Sequence, residues 1–369
     1  MPPRKAASRA IDSTSSKAKV EKRKPSPSPS PSAAVEGSDH SEAEAQEAPK
    51  KKKAKKATGP VTPIHPELPN NTAFPDPLEP FARPTASGQL RISSWNVAGL
   101  KACEKKGFSK YVEAEDADIL CLNETKCDSF PLASIDDRYP HRYWGVHHKK
   151  GQAGVAVFSK VEPINVVKGL PAVESEPSDD DEEGDGAPAP TQKESEGRII
   201  TLEFENTFVI ATYVPNAGQG LKNLAEKASW NKAFQRYLHS LDEKKPVIWI
   251  GDLNVVPTEL DIRNWKTNHN KSAGVTDTEI DGFNAQLAGR GGEGGKFVDV
   301  WRQRNEGVIG HYSYFSYKFQ CRFKGIGWRI DMAVTSERLL DKVKQCEIRQ
   351  TIYGASDHVP IVIDFEGPL

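Results

Sequence analysis

Apolar residues between positions 90 and 365 gather into short runs that are separated by polar turns. The runs are Leu90–Trp95, Asp118–Leu122, Gly154–Phe158, Arg198–Phe204, Thr207–Tyr213, Pro246–Ile250, Arg329–Val334 and Val359–Phe365. Each has the length of a strand and is rich in β-branched residues, which is typical of β-strands that are largely buried.

Three segments between these runs have helical periodicity instead. In the longest, 221–241, the apolar residues that fall near one face are Leu221, Leu224, Ala228, Phe234, Tyr237, Leu238 and Leu241. Phe108–Glu115 and Ser336–Gln345 are shorter helix candidates. Many strands and few long helices predict an α/β domain in which two packed β-sheets are flanked by helices.

The first 86 residues have a different composition. They include the Pro-Ser repeat Pro25–Ser32 and are almost free of aromatic and β-branched residues. Such a segment cannot bury enough apolar surface to offset its chain entropy. We therefore expect residues 1–86 to be a disordered basic tail and residues 87–369 to form the folded domain.

Charge is distributed unevenly although the net charge is −1. Residues 1–60 carry 14 Lys/Arg against 7 Asp/Glu, and the cluster 49–56 reads Pro-Lys-Lys-Lys-Lys-Ala-Lys-Lys. This cluster is typical of a segment that an import receptor binds, so we expect the protein in the nucleus. A solvated basic linker is one alternative, and a mitochondrial fraction is another because Arg and Ser residues lie near Met1.

A second charged segment, 174–196, is acidic, with 10 Asp/Glu against one Lys. It lies between two predicted strands, and long surface loops cost little closure entropy. We interpret it as a disordered insert at the periphery of a sheet. Because acidic groups repel nucleic acid, we expect it to point away from any such surface.

The composition also excludes several classes of protein. No apolar run approaches the ~18 residues of a membrane span, and no signal-peptide core follows Met1, so we expect neither membrane insertion nor secretion. The five cysteines show no CxxC spacing. That argues against a disulfide scaffold and a structural zinc site, and fits a reducing compartment.

Polar side chains of types used in catalysis and metal binding stand at the termini of the predicted strands, most where a strand ends and two just before the last strand begins. They are Asn96, Glu124, Tyr213, Asn216, Asp252, Asn254, Asp357 and His358. Any one of the Asn or Asp residues alone would be explained as a turn former. Several such strand ends together favour a common cleft on a rigid scaffold.

These residue types suit the hydrolysis of a phosphodiester assisted by a hard divalent cation. Carboxylates such as Glu124 and Asp357 are ligands that Mg²⁺ prefers, whereas the sequence motifs lack the several His or Cys that zinc requires. A protonated His358 can bind a phosphate oxygen. An Asp can orient or deprotonate water, and Asn side chains can donate hydrogen bonds to the charged transition state.

Six motifs in chain order resemble the exonuclease III family of abasic-site (AP) endonucleases, within the endonuclease/exonuclease/phosphatase (DNase I-like) superfamily. They are Trp95–Leu100, Leu122–Cys127, Tyr213–Gly218, Gly251–Val255, Gly327–Asp331 and Ser356–His358. The resemblance implies a four-layer α/β sandwich. It also implies cleavage of duplex DNA 5′ to an abasic site, leaving a 3′-hydroxyl and a 5′-deoxyribose phosphate, with 3′-phosphodiesterase and 3′→5′ exonuclease action as accompanying activities.

The resemblance further implies roles for individual residues. Glu124 is the principal ligand of Mg²⁺, for which Mn²⁺ can substitute, and the metal site as a whole comprises Asn96, Glu124, Asp252, Asn254, Asp357 and His358. The catalytic set is Tyr213, Asn216, Asp252, Asn254, Asp331 and His358. In it Asp252 activates the attacking water, and His358 binds a phosphate oxygen and is oriented by Asp331.

The same resemblance places the substrate pocket at Tyr314, Trp328 and Ile330. The surrounding stretch His311–Lys324 interleaves aromatic and basic residues, which favours contacts of Lys318 and Arg322 with the DNA backbone. For Tyr312, Phe315 and Tyr317, alternation between core and surface along a strand is an equally good interpretation.

The sequence departs from the family at Ala98, where many members have Asp, at Asn123 in place of Gln and at Gln219 in place of Arg. These departures leave open how tightly the protein binds the metal and how tightly it binds the product. Another magnesium-dependent phosphoesterase of the superfamily is the alternative function, although no dense basic pocket for several phosphates is present in the sequence. We expect a monomer that acts on duplex DNA containing abasic sites.

Overall fold

The described residues form two six-stranded sheets, which contain all eight predicted strands and four that were not predicted, His141–Gly145, Asn165–Lys168, Phe297–Asp299 and Val343–Ile348. The computed structural model describes residues 63–83, 88–133, 135–171, 190–289 and 296–369. The first sheet contains β1 (Gln89–Asn96), β2 (Ile119–Asn123), β3 (His141–Gly145), β4 (Val155–Ser159), β11 (Val343–Ile348) and β12 (Ile361–Glu366), in the order β11-β12-β1-β2-β4-β3. The second contains β5 (Asn165–Lys168), β6 (Ile199–Glu203), β7 (Phe208–Tyr213), β8 (Val247–Asp252), β9 (Phe297–Asp299) and β10 (Asp331–Ser336), in the order β5-β6-β7-β8-β10-β9.

Helices on the outer face of each sheet, together with short helices in the connecting segments, complete the domain. They are α1 (Leu100–Glu104), α2 (Phe108–Glu115), α3 (Gln192–Ser195), α4 (Leu224–Asp242), α5 (Trp265–Asn268), α6 (Asp277–Leu287), α7 (Val300–Arg304) and α8 (Cys321–Lys324). Trp95 packs with α1 and α2 on one side, and Trp249 with α4 and α6 on the other. A third apolar layer, including Ile92, Ile250 and Ile363, fills the space between the sheets. The predicted four-layer α/β sandwich is confirmed.

Both sheets are mixed, and each contains one parallel pair whose strands end level with each other. In the first sheet β1 and β2 are parallel with Asn96 opposite Asn123, and in the second β7 and β8 are parallel with Tyr213 opposite Asp252. The carboxyl ends of parallel strands lie at the same edge of a sheet. The fold thus brings the polar residues that follow these strands to one edge of the sandwich.

Residues 63–83, which we call the arm, depart from the prediction of a disordered tail through residue 86. Phe74, Leu78 and Phe81 pack against the apolar layer around Trp95. The arm approaches the domain so closely that a Cβ on Gly354 would lie 2.4 Å from the backbone nitrogen of Phe74. The apolar residues of this Pro-rich segment have no period, so their burial depends on a surface that only the folded domain provides. The import cluster 49–56 lies outside the described residues.

Two other local predictions differ from the structure. The predicted helix Ser336–Gln345 is instead a 3-10 turn, Glu337–Lys342, followed by β11. The reason is that Val343–Ile348 pairs antiparallel with β12. At the carboxyl end of the predicted acidic insert, residues 192–195 form α3, which begins with a Thr191–Glu194 capping box. Residues 172–189 lie outside the described residues.

The helix prediction Phe108–Glu115 is confirmed as α2, and the long helix predicted at 221–241 is confirmed as α4. None of the helices in the described ranges has both the length and the apolar character that crossing a bilayer requires. All five cysteines carry free thiols.

We predict that Phe81→Ala in the arm destabilises the full chain by about 2 kcal/mol. Phe81 packs edge-on to Tyr111 and lies under the Arg349 guanidinium, and half-buried aromatic truncations cost less than the ~3–5 kcal/mol of fully buried ones. Thermal unfolding followed by circular dichroism measures the loss. Glu79→Ala, at an exposed position of the same arm, is the control. Equal melting temperatures for the two variants would contradict the packing role of the arm.

Candidate active site

The two sheets meet at the hydrogen bonds of Asn96. At the end of β1, its Nδ2 donates to Asp252 Oδ2 at 2.9 Å and to Glu124 Oε1 at 3.1 Å. Its Oδ1 accepts the backbone N–H of Ala98 at 2.9 Å. Because a backbone N–H can only donate, this bond fixes which amide atom faces which partner. Asn96 therefore offers the two carboxylates a donor, and not the ligand oxygen that the family resemblance implied.

Asp252, at the end of β8, is fixed by its backbone as well as by Asn96. Asn123, at the end of β2, accepts the Asp252 N–H at 3.2 Å and donates to Thr212 O at 2.9 Å, so it bridges both sheets. The preceding Gly251 allows β8 to lie against β7, since a Cβ there would lie 2.0 Å from Thr212 O. Asp252 is 1% exposed and has little freedom to move.

The turn after β8 folds Asn254 back towards Asp252. The Asn254 N–H donates to Asp252 Oδ1 at 2.9 Å, and Asn254 Nδ2 donates to Val214 O at 2.9 Å. Its Oδ1 accepts Asn216 Nδ2 at 2.9 Å. The backbone of Asn254 has φ 49°, a left-handed conformation that is strained for a residue with a Cβ. The Asp-x-Asn motif thus forms a tight hydrogen-bonded turn at the cleft.

His358 reaches the same point from the loop before β12. Its Nδ1 lies 2.8 Å from Asp331 Oδ2, and its backbone carbonyl accepts Trp95 Nε1 at 3.0 Å. Asp331 stands opposite Asp252 in the antiparallel pairing of β10 with β8. Polar atoms of Asp252, Asp331 and His358 lie within 4.8 Å of one another.

Burial makes the charges of this cluster strongly interdependent. Burial, together with the neighbouring Asp331 carboxylate, raises the pKa of Asp252 to about 7. Burial alone would lower the pKa of His358, but the hydrogen-bonded Asp331 carboxylate reverses this effect and raises that pKa to about 10. His358 is therefore an imidazolium at neutral pH. A cationic ring can donate Nε2–H to a phosphate oxygen, and the metal-ligand role of His358 stays a prediction.

The remaining predicted ligands, Glu124 and Asp357, are also buried, with 3% and 4% exposure. Glu124 Oε2 lies 3.0 Å from Lys126 Nζ. Several buried carboxylates within one cleft, one of them with a raised pKa, show that the negative charge is incompletely compensated by protein groups. The donor set consists of hard oxygens, and it fits a hard divalent cation.

An apolar group of side chains adjoins the cluster at the positions predicted for the substrate pocket. The Tyr314 ring lies 4.9 Å from the His358 ring and 6.1 Å from the Trp328 ring, centre to centre. Tyr314 and Trp328 are paired through two backbone hydrogen bonds of 2.9 and 3.0 Å. Ile330 belongs to a small apolar cluster that Trp328 and Tyr314 also contact. Behind it, the fully buried Arg329 bonds Asp261 and Asp299.

The predicted DNA contact of Arg322 is wrong. Arg322 is 3% exposed, its guanidinium bonds the arm residue Asn71 and Gln350, and it stacks on Phe315 and Tyr353. The charge is used inside the protein to join the arm to the domain, so it is not available to a phosphate. The basic-aromatic pattern could not distinguish a buried arginine from an exposed one.

The other members of this stretch divide between core and surface. Tyr312 and Phe315 are buried, whereas Tyr317 is 56% exposed. The stretch mixes core and surface positions in turns and α8, so the alternation along a strand is wrong. Lys318 lies half-buried in a 3-10 turn four residues after Tyr314, and its DNA contact stays a prediction.

Two cations near the site were not predicted. Arg198 lies over the Tyr213 ring at 5.2 Å, and its charge interacts with Glu124 and Asp252. Burial and the Glu124 carboxylate raise the pKa of Tyr213. Arg198 begins the β6 run and meets Tyr213 only through the pairing of β6 with β7, which sequence spacing does not reveal. The sequence could have indicated Lys126, because it follows Glu124 by two residues in the motif Leu122–Cys127.

Comparison with known proteins agrees with this geometry. A family model described as the Endonuclease/Exonuclease/phosphatase family matches residues 93–358, from β1 to His358. The chain belongs to this family. It is 38% identical over 314 residues to DNA repair nuclease APEX1 of Danio rerio, covering 84% of this chain and 90% of the relative. It is 40% identical over 273 residues to an exodeoxyribonuclease of Bacillus subtilis, covering 74% and 98%.

Solved structures of the endonuclease/exonuclease/phosphatase family show the same likeness. An AP endonuclease of Leishmania major has a TM-score of 0.60 at 26% identity, covering 78% of this chain and 93% of that structure. An AP endonuclease of Archaeoglobus fulgidus has a TM-score of 0.59 at 26% identity, covering 75% and 99%. The resemblance to AP endonucleases in the sequence is confirmed.

We predict that Asn96→Ala moves the acid limb of the pH–rate profile to higher pH. In the role that the family resemblance implies for Asp252, its ionised form takes a proton from water, so the rate of phosphodiester hydrolysis should fall as pH drops through the pKa of Asp252. The Asn96 hydrogen bond favours this ionised form and lowers that pKa. Its loss therefore raises the pKa and shifts the limb upward.

The test compares the single-turnover rates of the wild type and Asn96→Ala. Both are measured at the same metal concentration, because a bound cation lowers the pKa of Asp252 in each protein. His358 stays protonated to about pH 10, so it adds no acid limb. An unchanged limb in Asn96→Ala would count against Asp252 as the titrating group.

Proposed function

We propose that this protein is a magnesium-dependent DNA repair endonuclease. It hydrolyses the phosphodiester 5′ to an abasic site in duplex DNA, and leaves a 3′-hydroxyl and a 5′-deoxyribose phosphate. The observation that carries the proposal is the juxtaposition of the Asp252–Asp331–His358 cluster with the apolar side chains of Tyr314, Trp328 and Ile330, which we propose to form the substrate pocket. Relatives in sequence and solved structures that are described as AP endonucleases support the same reaction. Trimming of 3′ ends as a 3′-phosphodiesterase and 3′→5′ exonuclease is part of the proposal.

The pocket supplies substrate selection. Its walls are the aromatic rings of Tyr314 and Trp328 and the aliphatic Ile330. A sugar without a base leaves the duplex at lower cost, because no pairing or stacking is lost at the lesion itself. A flipped abasic sugar can fill such a pocket, whereas an intact nucleotide brings a base that it does not hold.

The residues around the cleft divide the chemical work. Asp252 orients the attacking water and takes its proton, and Asn254 holds the turn that presents Asp252. His358 donates Nε2–H to a phosphate oxygen while Asp331 fixes its ring through Nδ1. Tyr213 and Asn216 contact the scissile phosphate from the β7 side. Donors that are fixed in advance stabilise developing charge without reorganisation.

Glu124 and Asp357 would hold Mg²⁺, for which Mn²⁺ can substitute. When bound, the cation supplies positive charge to the phosphate and the leaving oxygen. Asn96, which donates to Glu124 and Asp252, keeps the carboxylate oxygens turned towards the cleft.

We expect the purified full chain with Mg²⁺ to nick a duplex that carries one tetrahydrofuran abasic analogue, immediately 5′ to the analogue. Asp252→Asn and His358→Gln should each slow single-turnover nicking by about 100-fold or more, because each removes a group that acts in the transition state. Denaturing gels with an end-labelled strand measure the product.

Controls are the same duplex with an intact base, and the reaction with EDTA. Thermal unfolding shows whether the variants remain folded. Equal cutting of intact and abasic duplex would refute lesion selection, and near wild-type rates in folded variants would refute the assigned site.

We also propose that residues 49–56 bind a nuclear import receptor and that the protein works in the nucleus as a monomer. The support is the charge of the Pro-Lys-Lys-Lys-Lys-Ala-Lys-Lys cluster.

Replacing Lys51, Lys52, Lys53, Lys55 and Lys56 with Ser should move a fluorescent fusion from nucleus to cytoplasm, while nicking activity in the test tube stays unchanged. The fusion with Lys5 and Lys17 replaced is the control. An unchanged distribution of the first fusion would reject the signal, and a mitochondrial pattern would favour the alternative.

A further inference from the structure

A buried ion pair lies directly behind the Asp252–Asn254 turn. Lys227 of α4 and Glu279 of α6 are each 1% exposed, and Lys227 Nζ lies 2.8 Å from Glu279 Oε1. Taking two charges out of water costs several kcal/mol per ion before their attraction repays it. No role assigned above uses this pair, so its position calls for an explanation.

The second partner of Lys227 is part of the site. Nζ also donates to the backbone carbonyl of Asn254 at 2.5 Å. A hydrogen bond from an ammonium is about twice as strong as one between neutral groups. The side chain and N–H of Asn254 are bonded to Val214, Asn216 and Asp252 at the cleft. Lys227 therefore holds the turn from the interior, opposite the face that these bonds hold.

Asn254 is the residue in the turn that needs such support. Its φ of 49° is left-handed, which costs roughly 1–2 kcal/mol for a residue with a Cβ. Strained backbone persists only where its surroundings over-determine it. The charged hydrogen bond to the Asn254 carbonyl favours this conformation over a relaxed one that would turn the carbonyl elsewhere.

Glu279 ties the pair to the same segment a second time. Its carboxylate accepts the Gly274 N–H at 2.8 and 2.9 Å and the Thr276 hydroxyl at 2.8 Å. The Gly274 carbonyl in turn accepts the N–H of Val256 at 2.8 Å. Lys227 and Glu279 thus hold both ends of the stretch 254–256, and α4 and α6 supply the rigid base.

We propose that Lys227 is a positioning residue for the cleavage reaction. Its ammonium holds the Asn254 carbonyl, keeps the Asn254 side chain bonded to Asn216, and so maintains the orientation of Asp252 towards the attacking water. The inference rests on the proposed function and deepens it. It assigns the buried pair to the rate of the chemical step rather than to DNA affinity.

Single-turnover nicking of the tetrahydrofuran duplex at saturating Mg²⁺ tests this role in the full chain. Lys227→Met, of similar length but neutral, should lower the rate by about 100-fold, the size of effect that a displacement of about 1 Å produces. Lys227→Arg, which can still donate to both Glu279 and Asn254, should recover most of it. Affinity for the duplex in EDTA should be the same in all three proteins.

A control variant separates positioning from general destabilisation. Leu238→Ala, in the core on the same helix α4, lowers the melting temperature without touching the turn and should leave the rate unchanged. If Lys227→Met does not fold, Lys227→Gln, which keeps polarity without charge, replaces it with the same expectations.

A double-mutant cycle tests whether the effect passes through Asp252. In the Asp252→Asn background, which lacks the carboxylate that the turn orients, Lys227→Met should slow the residual reaction no further, although its loss of thermal stability remains. A full additional loss of rate in that background would overturn the proposal. So would a wild-type rate for Lys227→Met in a chain that nicks. A wild-type chain that does not nick would overturn the proposed function first and this role with it.

Discussion

The site depends on a carboxylate that is kept buried where the two sheets meet. Asp252 is held by donors from both sheets, with Asn96 and Asn123 contributed by the first sheet and the 252–254 turn by its own. Each donor makes burial of the charge tolerable. None neutralises it, and burial together with the nearby Asp331 carboxylate raises the pKa of Asp252 to about 7. In the proposed reaction, this pKa places Asp252 close to the useful range of a general base.

The same buried negative charge accounts for the protonation of His358 and for the fit of the cleft to a cation. Asp331 is shared between a neighbour that it repels and an imidazolium that it stabilises, so one carboxylate shifts both pKa values upward. Glu124, paired with Lys126 on one side and Asn96 on the other, adds negative charge to the cleft. In the proposed function, a divalent ion and a phosphate would bring the charges that complete this balance, so each would favour the binding of the other.

Buried ion pairs behind the cleft hold its residues in position. Arg329 holds Asp261 and Asp299 beneath the pocket, and Lys227 with Glu279 holds the turn of Asn254. Buried pairs are a poor source of net stability, but breaking one leaves an uncompensated charge and costs about 3–5 kcal/mol. They therefore fix geometry more than they add stability, and the pocket residues Trp328 and Ile330 flank one of them directly.

The sequence by itself determined eight of the twelve strands in the described residues, helices α2 and α4, and the short motifs, because apolar period and turn residues are local properties. It also determined that Glu124, Asp252 and Asn254 lie where strands end and that His358 lies just before a strand begins. Tertiary structure alone decided that Arg322 is internal, that the arm packs on the domain, and that 343–348 is a strand and not a helix. It also decided the meeting of Arg198 with Tyr213 and of Lys227 with Asn254. The physical reason is that burial and charge pairing join residues far apart in the chain, and no local pattern encodes which partners will meet.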